Sequence, residues 1–428
     1  MNIADKHHPS QINEQIKTLA ASALALARRG EIADAERVYG LILAIAPYHA
    51  SSLSFMAVQA FLKGDHQGSL AYLDKAIQGN PQNPLLLQRR AQVYKETGRY
   101  DAAIKDLDGA IALQPDLHTA KLYKAFALKE MGDWNGAIRL VTSVMREIPD
   151  LRAWAAGQTG TEQVSELALE AANVVRAAQL SLIDAELQPA IDKFGKDSLQ
   201  RVFEGVAAFA GLREKDPAAP AQPARSLHIQ GLDASPHFTP PLDQWPAGIR
   251  NGVQAIRAET QALLKQRNPA YATDEGSIVP GGGEVSSSTY TLNLTAEQLA
   301  AAPALAALAG EVRTSDVPSN LDGMALTLAP PGWHGLQGAR GENWRRTGYV
   351  LLDGAEAVTL SIGGHTVRLS QGEYLQASTL SDHDLEVDDG QAAVLLSLRV
   401  WHPGLSPAEV AGLAAVLGAF DRFRAKYL

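Results

Sequence analysis

Eleven histidines and no cysteine bound the chemistry open to this chain of 428 residues. Without thiols there is no disulfide, no thiolate zinc site and no cysteine nucleophile, so His, carboxylates, Ser, Lys or a cofactor must carry any reaction. Two imidazoles on adjacent strands can hold a divalent metal with coordination positions left open, and the usual third ligand is a carboxylate. None of the eleven histidines is followed two places later by Asp or Glu, which excludes the His-x-Asp/Glu form of such a site. One imidazole, His383, in "SDHDLEVDDGQAAVLLSLRVWHPGLS", stands at the mouth of a strand-like run. His402, in the Trp401-His402-Pro403 corner, reads as a packing residue, and His365, after a Gly-Gly turn, as an exposed strand residue. The "PGGG" at 280–283 is not followed by a helix start with Lys-Ser/Thr, so it is not a phosphate loop.

These histidines lie in a region that reads as short strands. From about residue 226 the runs "TYTLNL", "GMALTLA", "TGYVLL", "AVTLSI", "HTVRL", "GEYLQAS" and "AAVLLSLRVW" follow one another at close spacing with Gly and Asp turns. That pattern predicts an antiparallel sandwich or jelly roll, accompanied by helices at "AGIRNGVQAIRAETQALLKQ" and "TAEQLAAAPALAALAGEV". "REKDPAAPAQPAR", residues 213–225, is a Pro/Ala linker and the expected domain boundary. The formal charge of −9 and pI near 5.7 leave no electrostatic footprint for nucleic acid or an anionic membrane. No apolar run of about 20 residues and no apolar leader are present, so the expected setting is the cytoplasm.

The first third of the chain is periodic. Pro47, Pro81, Pro115 and Pro149 are evenly spaced, and Gly30, Gly64, Gly98 and Gly132 keep the same interval. A small residue recurs at Ala35, Ser69, Ala103 and Ala137, with a larger apolar residue four places on at Tyr39, Leu73, Leu107 and Val141. Small residues let paired helices approach, and the larger ones fill the space beside them. This grammar resembles the tetratricopeptide repeat, with four units over residues 14–149. The resemblance implies a stacked superhelix with a protein or peptide partner in its concave groove. Its frame points Gln88, Gln92, Lys95, Phe126 and Lys129 into that groove. Helical spacing continues over residues 150–212, which are expected to cap the array.

A second resemblance covers residues 226 to about 415. "LHIQGLDASPHFTPPLDQWP", Ile256-Arg257-Ala258-Glu259, "MALTLAPPGWHG", "ENWRRTGYVLLDG", "VRLSQGEYLQASTLSDHDLEV" and "VWHPGLSPAE" follow the order and spacing of the aspartyl/asparaginyl β-hydroxylase family. The resemblance implies a multidomain α + β chain: an N-terminal α-solenoid, then a C-terminal double-stranded β-helix (jelly roll) with flanking helices over residues 226–428. In that family two histidines hold Fe(II) and 2-oxoglutarate for hydroxylation of Asp or Asn side chains. The second metal histidine falls on His383. The first falls on Gly338, or on Gln337 if the frame moves by one, and His334 lies four residues upstream, on the order of 13 Å along an extended chain. The arginine that holds the oxoacid falls on Ala393. Arg399 shares its parity but stands six residues farther along, roughly 20 Å. Two further cosubstrate contacts fall on Thr347 and Tyr349; a one-residue shift offers Arg346 but leaves Gly348 in the histidine position.

Two functions follow. In the first, the chain binds a protein or peptide and its hydroxylase-like domain lacks the standard chemistry, needing no cofactor. In the alternative, an active Fe(II)/2-oxoglutarate-dependent dioxygenase works through a rearranged site, with His383 and His334 as metal ligands and Arg345 or Arg346 holding the oxoacid.

Overall fold

A computed structural model describes residues 9–148, 150–157, 161–213, 227–267, 290–293, 296–312, 324–337, 343–387 and 391–428. Contacts divide the chain into two units, Met1–Ala178 with Arg424–Leu428, and Gln179–Phe423. The division falls inside a helix and not at the Pro/Ala stretch 213–225, of which 214–225 lies outside the described residues. The reason is burial: Ile183 and Leu187, beyond the division, share an apolar cluster with Val202, Val206, Leu413 and Val416 of the second unit.

In the first unit eight helices pair in sequence order: α1 (Pro9–Arg28) with α2 (Ile32–Ile45), α3 (Ala50–Leu62) with α4 (His66–Gly79), α5 (Pro84–Glu96) with α6 (Tyr100–Leu113), and α7 (His118–Glu130) with α8 (Trp134–Glu147). The periodic glycines have a backbone cause. Gly30, Gly64, Gly98 and Gly132 take φ of 80°, 78°, 70° and 88°, the left-handed region that costs other residues. Each is the C′ residue of a Schellman turn, whose second bond, from the next residue's N–H, spans 2.8 to 3.0 Å (Glu31 to Leu26, Asp65 to Ala60, Arg99 to Tyr94, Asp133 to Leu128). That same next residue caps the following helix at Asp65 and Asp133, whose carboxylates accept from the N–H of Gly68 and Gly136 at 2.8 Å. The small residues at the helix crossings are all buried, as are the larger ones four places on. Ion pairs repeat with the same register: Arg90 reaches Asp74, and Lys124 reaches Asp108 one repeat later. Pro149 lies outside the described residues. Helices α9 (Leu151–Ala156) and α10 (Thr161–Phe194) follow.

The second unit is layered. Strands β1 (His237–Phe238), β2 (Tyr290–Asn293), β3 (Met324–Ala329), β5 (Arg345–Gly354), β8 (Tyr374–Ser378) and β10 (Ala393–Trp401) form one sheet in the order β1-β8-β5-β10-β3-β2. A second sheet, in the order β4-β9-β6-β7, holds β4 (His334–Gln337), β6 (Ala357–Ile362), β7 (His365–Ser370) and β9 (His383–Val387). The strand pairs of both sheets are antiparallel. Alternation along β5 assigns its two faces: Tyr349 and Leu351 join a cluster with Leu360, Ile362 and Leu385 of the second sheet, whereas Val350 and Leu352 pack with α12 (Ala247–Arg267) and α14 (Pro303–Val312). Helices α12 and α14 cap each other's first turns. Glu259 accepts from the N–H of Ala304 at 2.8 Å and of Leu305 at 2.9 Å, and Glu311 accepts from Ala247 and Gly248. The remaining helices are α11 (Gln200–Phe209), the short α13 (Ala296–Ala300) and α15 (Pro407–Tyr427).

Candidate functional site

The site residues expected from the sequence fall in two places, the concave side of the repeats and the two-sheet region.

On the concave side a cavity of about 470 Å³ has an apolar floor that includes Val58, Phe61, Leu73, Val93 and Tyr123, from α3, α4, α5 and α7. Arg89, Gln92 and Lys95 of α5 line it, and α10 adds Glu166, Leu167 and Glu170. Two of the five groove residues expected from sequence, Gln92 and Lys95, therefore face the cavity. The others do not. Phe126 is 1 % exposed, a core residue of α7. Lys129 is held 2.7 Å from Glu170 with its ammonium over the Phe126 ring. Burial pulls its pKa down, but Glu170 and Glu130 outweigh burial and leave it above the ordinary lysine value. Gln88 accepts from the Thr119 hydroxyl at 2.7 Å. A repeat frame assigns faces but cannot say that α10 lies along the groove and takes Lys129. Arg89 was missed because i+3 spacing to Gln92 was the only signal for it.

Between the sheets, His383 is buried and both its ring nitrogens are engaged. Nε2 lies 2.6 Å from the carbonyl oxygen of Ser378, which can only accept, so Nε2 carries the proton. In the neutral ring Nδ1 then accepts from the Tyr349 hydroxyl, 3.0 Å away. Tyr349 stands where the resemblance expects a cosubstrate-binding histidine, and it occupies the imidazole edge that a metal would need. The partner of His383 across the β4–β9 ladder is Gln337; His334 is opposite Glu386, three positions along. The register does not set the two histidines opposite each other, and Gly338 lies outside the described residues.

The two arginines proposed for the oxoacid fall on opposite faces of the sheet. Arg346 is buried, with Nη2 donating to the Asp233 carbonyl at 3.3 Å and 3.5 Å from its carboxylate. Burial lowers its pKa, and Asp233 partly restores it. Arg345 has the parity of Tyr349, but its guanidinium lies over the Trp344 ring, 4.9 Å from the centroid. At Gly348 the Tyr374 ring fills the space a side chain would need. Ala393 is packed in the inter-sheet cluster. Arg399 is the exception to the sequence reading. Its Cα partner is Thr347, two positions from the Tyr349–Ser397 pair, so β10 returns it to the end of the sandwich where His383 lies. The distance measured from Ala393 missed this because β9 and β10 run in opposite directions.

The His383 surroundings do not fit an iron centre with two imidazole ligands: one imidazole is fully hydrogen-bonded and the position facing it is a glutamine. The corner at Trp401-His402-Pro403 is structural, as its sequence suggests. His402 Nε2 meets the Asp233 carbonyl at 3.0 Å, Nδ1 accepts from the Gly404 N–H at 3.0 Å, and the Trp344 and Trp401 rings are 5.7 Å apart.

Residues 60–121 match the family model "Tetratricopeptide repeat". The helical unit carries tetratricopeptide repeats. Curated relatives match over the same kind of length: the "Tetratricopeptide repeat and J domain-containing co-chaperone DNJ1" of Fusarium oxysporum f. sp. lycopersici is 33% identical over 87 residues, 20% of this chain and 17% of that protein. The "Protein SGT1 homolog" of Oryza sativa subsp. japonica is 32% identical over 88 residues, 21% of this chain and 24% of that protein. The chain thus spans less than a quarter of the length of these relatives. Among solved structures, MamA aligns with 38% of this chain and 88% of its own at 17% identity and a TM-score of 0.31. A Thermobaculum terrenum O-GlcNAc transferase mutant aligns with 32% of this chain and 27% of its own at 23% identity and the same TM-score, 0.31. Among the described residues no helix is long and apolar enough to cross a membrane.

Proposed function

We propose that this chain is a protein- or peptide-binding tetratricopeptide protein whose second unit has an aspartyl/asparaginyl β-hydroxylase-like jelly roll without the standard chemistry. Strand nesting supports the jelly roll: β3 pairs with β10, β4 with β9, β5 with β8 and β6 with β7, the order of one long hairpin folded over two sheets. The single observation that carries the loss of chemistry is the double engagement of His383 by Tyr349 and Ser378. Fold alone does not bring function with it.

The position of Arg399 favours the alternative reading, an active Fe(II)/2-oxoglutarate dioxygenase acting on Asp or Asn side chains of a peptide. That reading requires His383 to release Tyr349. The two are separated by anaerobic isothermal titration of the metal-stripped chain with Fe(II), with and without 2-oxoglutarate, repeated on His383→Ala. The binding-protein reading expects no saturable uptake that depends on His383. Micromolar uptake that needs both His383 and the oxoacid supports the dioxygenase and ends the first reading.

A further inference from the structure

The proposed groove leaves the class of its ligand open, and one residue narrows it. Arg89 is exposed on the concave side, and no hydrogen bond or ion pair engages it among the described residues. Its neighbours are spoken for. Arg90 is bound bidentately by Asp106 at 2.7 Å and by Asp74 at 2.7 Å, Lys95 lies 3.4 Å from Glu96, and Lys129 is held by Glu170. Although solvent reaches Arg89, the concave wall around it displaces enough water to lower its pKa, as happens when a charge lacks a partner in a recess.

Arg89 also stands at a junction. A second cavity, of about 510 Å³, adjoins the first, and Ser54, Val58 and Arg89 line both. Among the described residues Arg89 is the only charged one lining the second cavity; Tyr39, Phe55 and Leu86 supply apolar surface. In the first, Phe61 and Tyr123 do the same. An extended peptide repeats its side-chain direction every two residues, about 7 Å. A chain laid through both cavities would set one side chain at Arg89 and an apolar one in each recess beside it.

We propose, building on the groove reading, that the repeats recognise an extended internal segment in which an acidic side chain stands between two apolar residues, its carboxylate received by Arg89. The carboxylate belongs to a side chain and not to a chain terminus, because apolar space continues on both sides of Arg89. A guanidinium presents two parallel donors to a carboxylate, so Asp or Glu is favoured over Asn or Gln there.

The test uses the 428-residue chain and a library of nonapeptides, acetylated and amidated at their ends. The centre is fixed as Asp, Glu, Asn or Lys and the flanks are randomised. Wild type is expected to retain the Asp and Glu pools roughly ten- to hundredfold more strongly than the Asn pool. Leu, Ile, Phe or Tyr should be enriched two positions from the centre. Arg89→Gln should erase the Asp/Asn ratio, and Arg89→Glu should turn the preference toward Lys; the position is exposed, and unchanged circular dichroism verifies folding. Equal retention of Asp and Asn, or a ratio that survives Arg89→Gln, overturns the acidic-segment inference while groove binding stands. A preference that appears only with free C-terminal carboxylates also overturns it. Retention of no pool at all overturns the groove reading itself.

Discussion

At Tyr349 one hydroxyl decides how His383 is read. With Nε2 donating to Ser378, the phenol holds Nδ1 inside an apolar cluster, and removing it leaves a buried acceptor unsatisfied. Tyr349→Phe should therefore cost roughly 1 to 3 kcal/mol in urea unfolding, a loss typical of a stranded polar group. A neutral result would mean that the hydroxyl matters little to the fold. Glu409 makes a separate prediction. Burial raises its pKa, but hydrogen bonds from Arg201 and from Ser406 outweigh burial, so its folded pKa lies below the ordinary 4.5. Its contribution to stability is full above 4.5 and is lost as pH falls through the depressed folded value. Glu409→Gln should thus lower the urea midpoint at neutral pH, and the gap to wild type should close in acid. Glu409 is half of a capping box at the start of α15: Ser406 Oγ accepts from the Glu409 N–H at 3.2 Å, and the Glu409 carboxylate accepts from the Ser406 N–H at 2.8 Å. Its second partner, Arg201 on α11, has no signal in the sequence because the two are 208 residues apart.

Elements with a short-range cause were the most legible. The helix pairs could be read from glycines and small residues because the left-handed turn and the helix crossing are local demands of the backbone. Gly98 shows the cost directly: a Cβ there would meet nothing within 4 Å, so Gly98→Ala is penalised by conformation and not by collision. Thermal unfolding should register a loss of about 1 kcal/mol, with similar effects at Gly64 and Gly132. The pairing of α5 with α4 and α6 was less visible. Arg90 spans Asp74 and the buried Asp106, and Arg90→Ala should cost more than Asp74→Ala, since it strands a buried carboxylate whereas Asp74 is 57% exposed. Urea midpoints of the two variants give the comparison. In the second unit the strand runs were legible from alternation, but their register was not. Whether His334 or Gln337 faced His383 depended on a ladder offset of three residues that no local pattern encodes.

For the whole molecule, the sequence shows a change from a helical period to short strands, and contacts divide the chain at Ala178/Gln179, inside α10. Composition pointed to the prolines and alanines of 213–225, whereas apolar burial by Ile183 and Leu187 carries the second unit back into α10. Likewise, part of the motif order expected from the hydroxylase resemblance falls on residues that hold the framework. Arg257 of that order pairs with the buried Asp353, and Glu259 caps α14, so both serve the fold. If recognition belongs to the repeats, the His383 region takes no part in it. Hydrogen–deuterium exchange on the 428-residue chain, with and without the nonapeptide pool it retains, tests this most directly. Binding in the groove should add protection in α3, α5 and α7, lost with Arg89→Glu, and leave β5 and β9 unchanged. Protection centred on β5 and β9 that disappears in His383→Ala would contradict it.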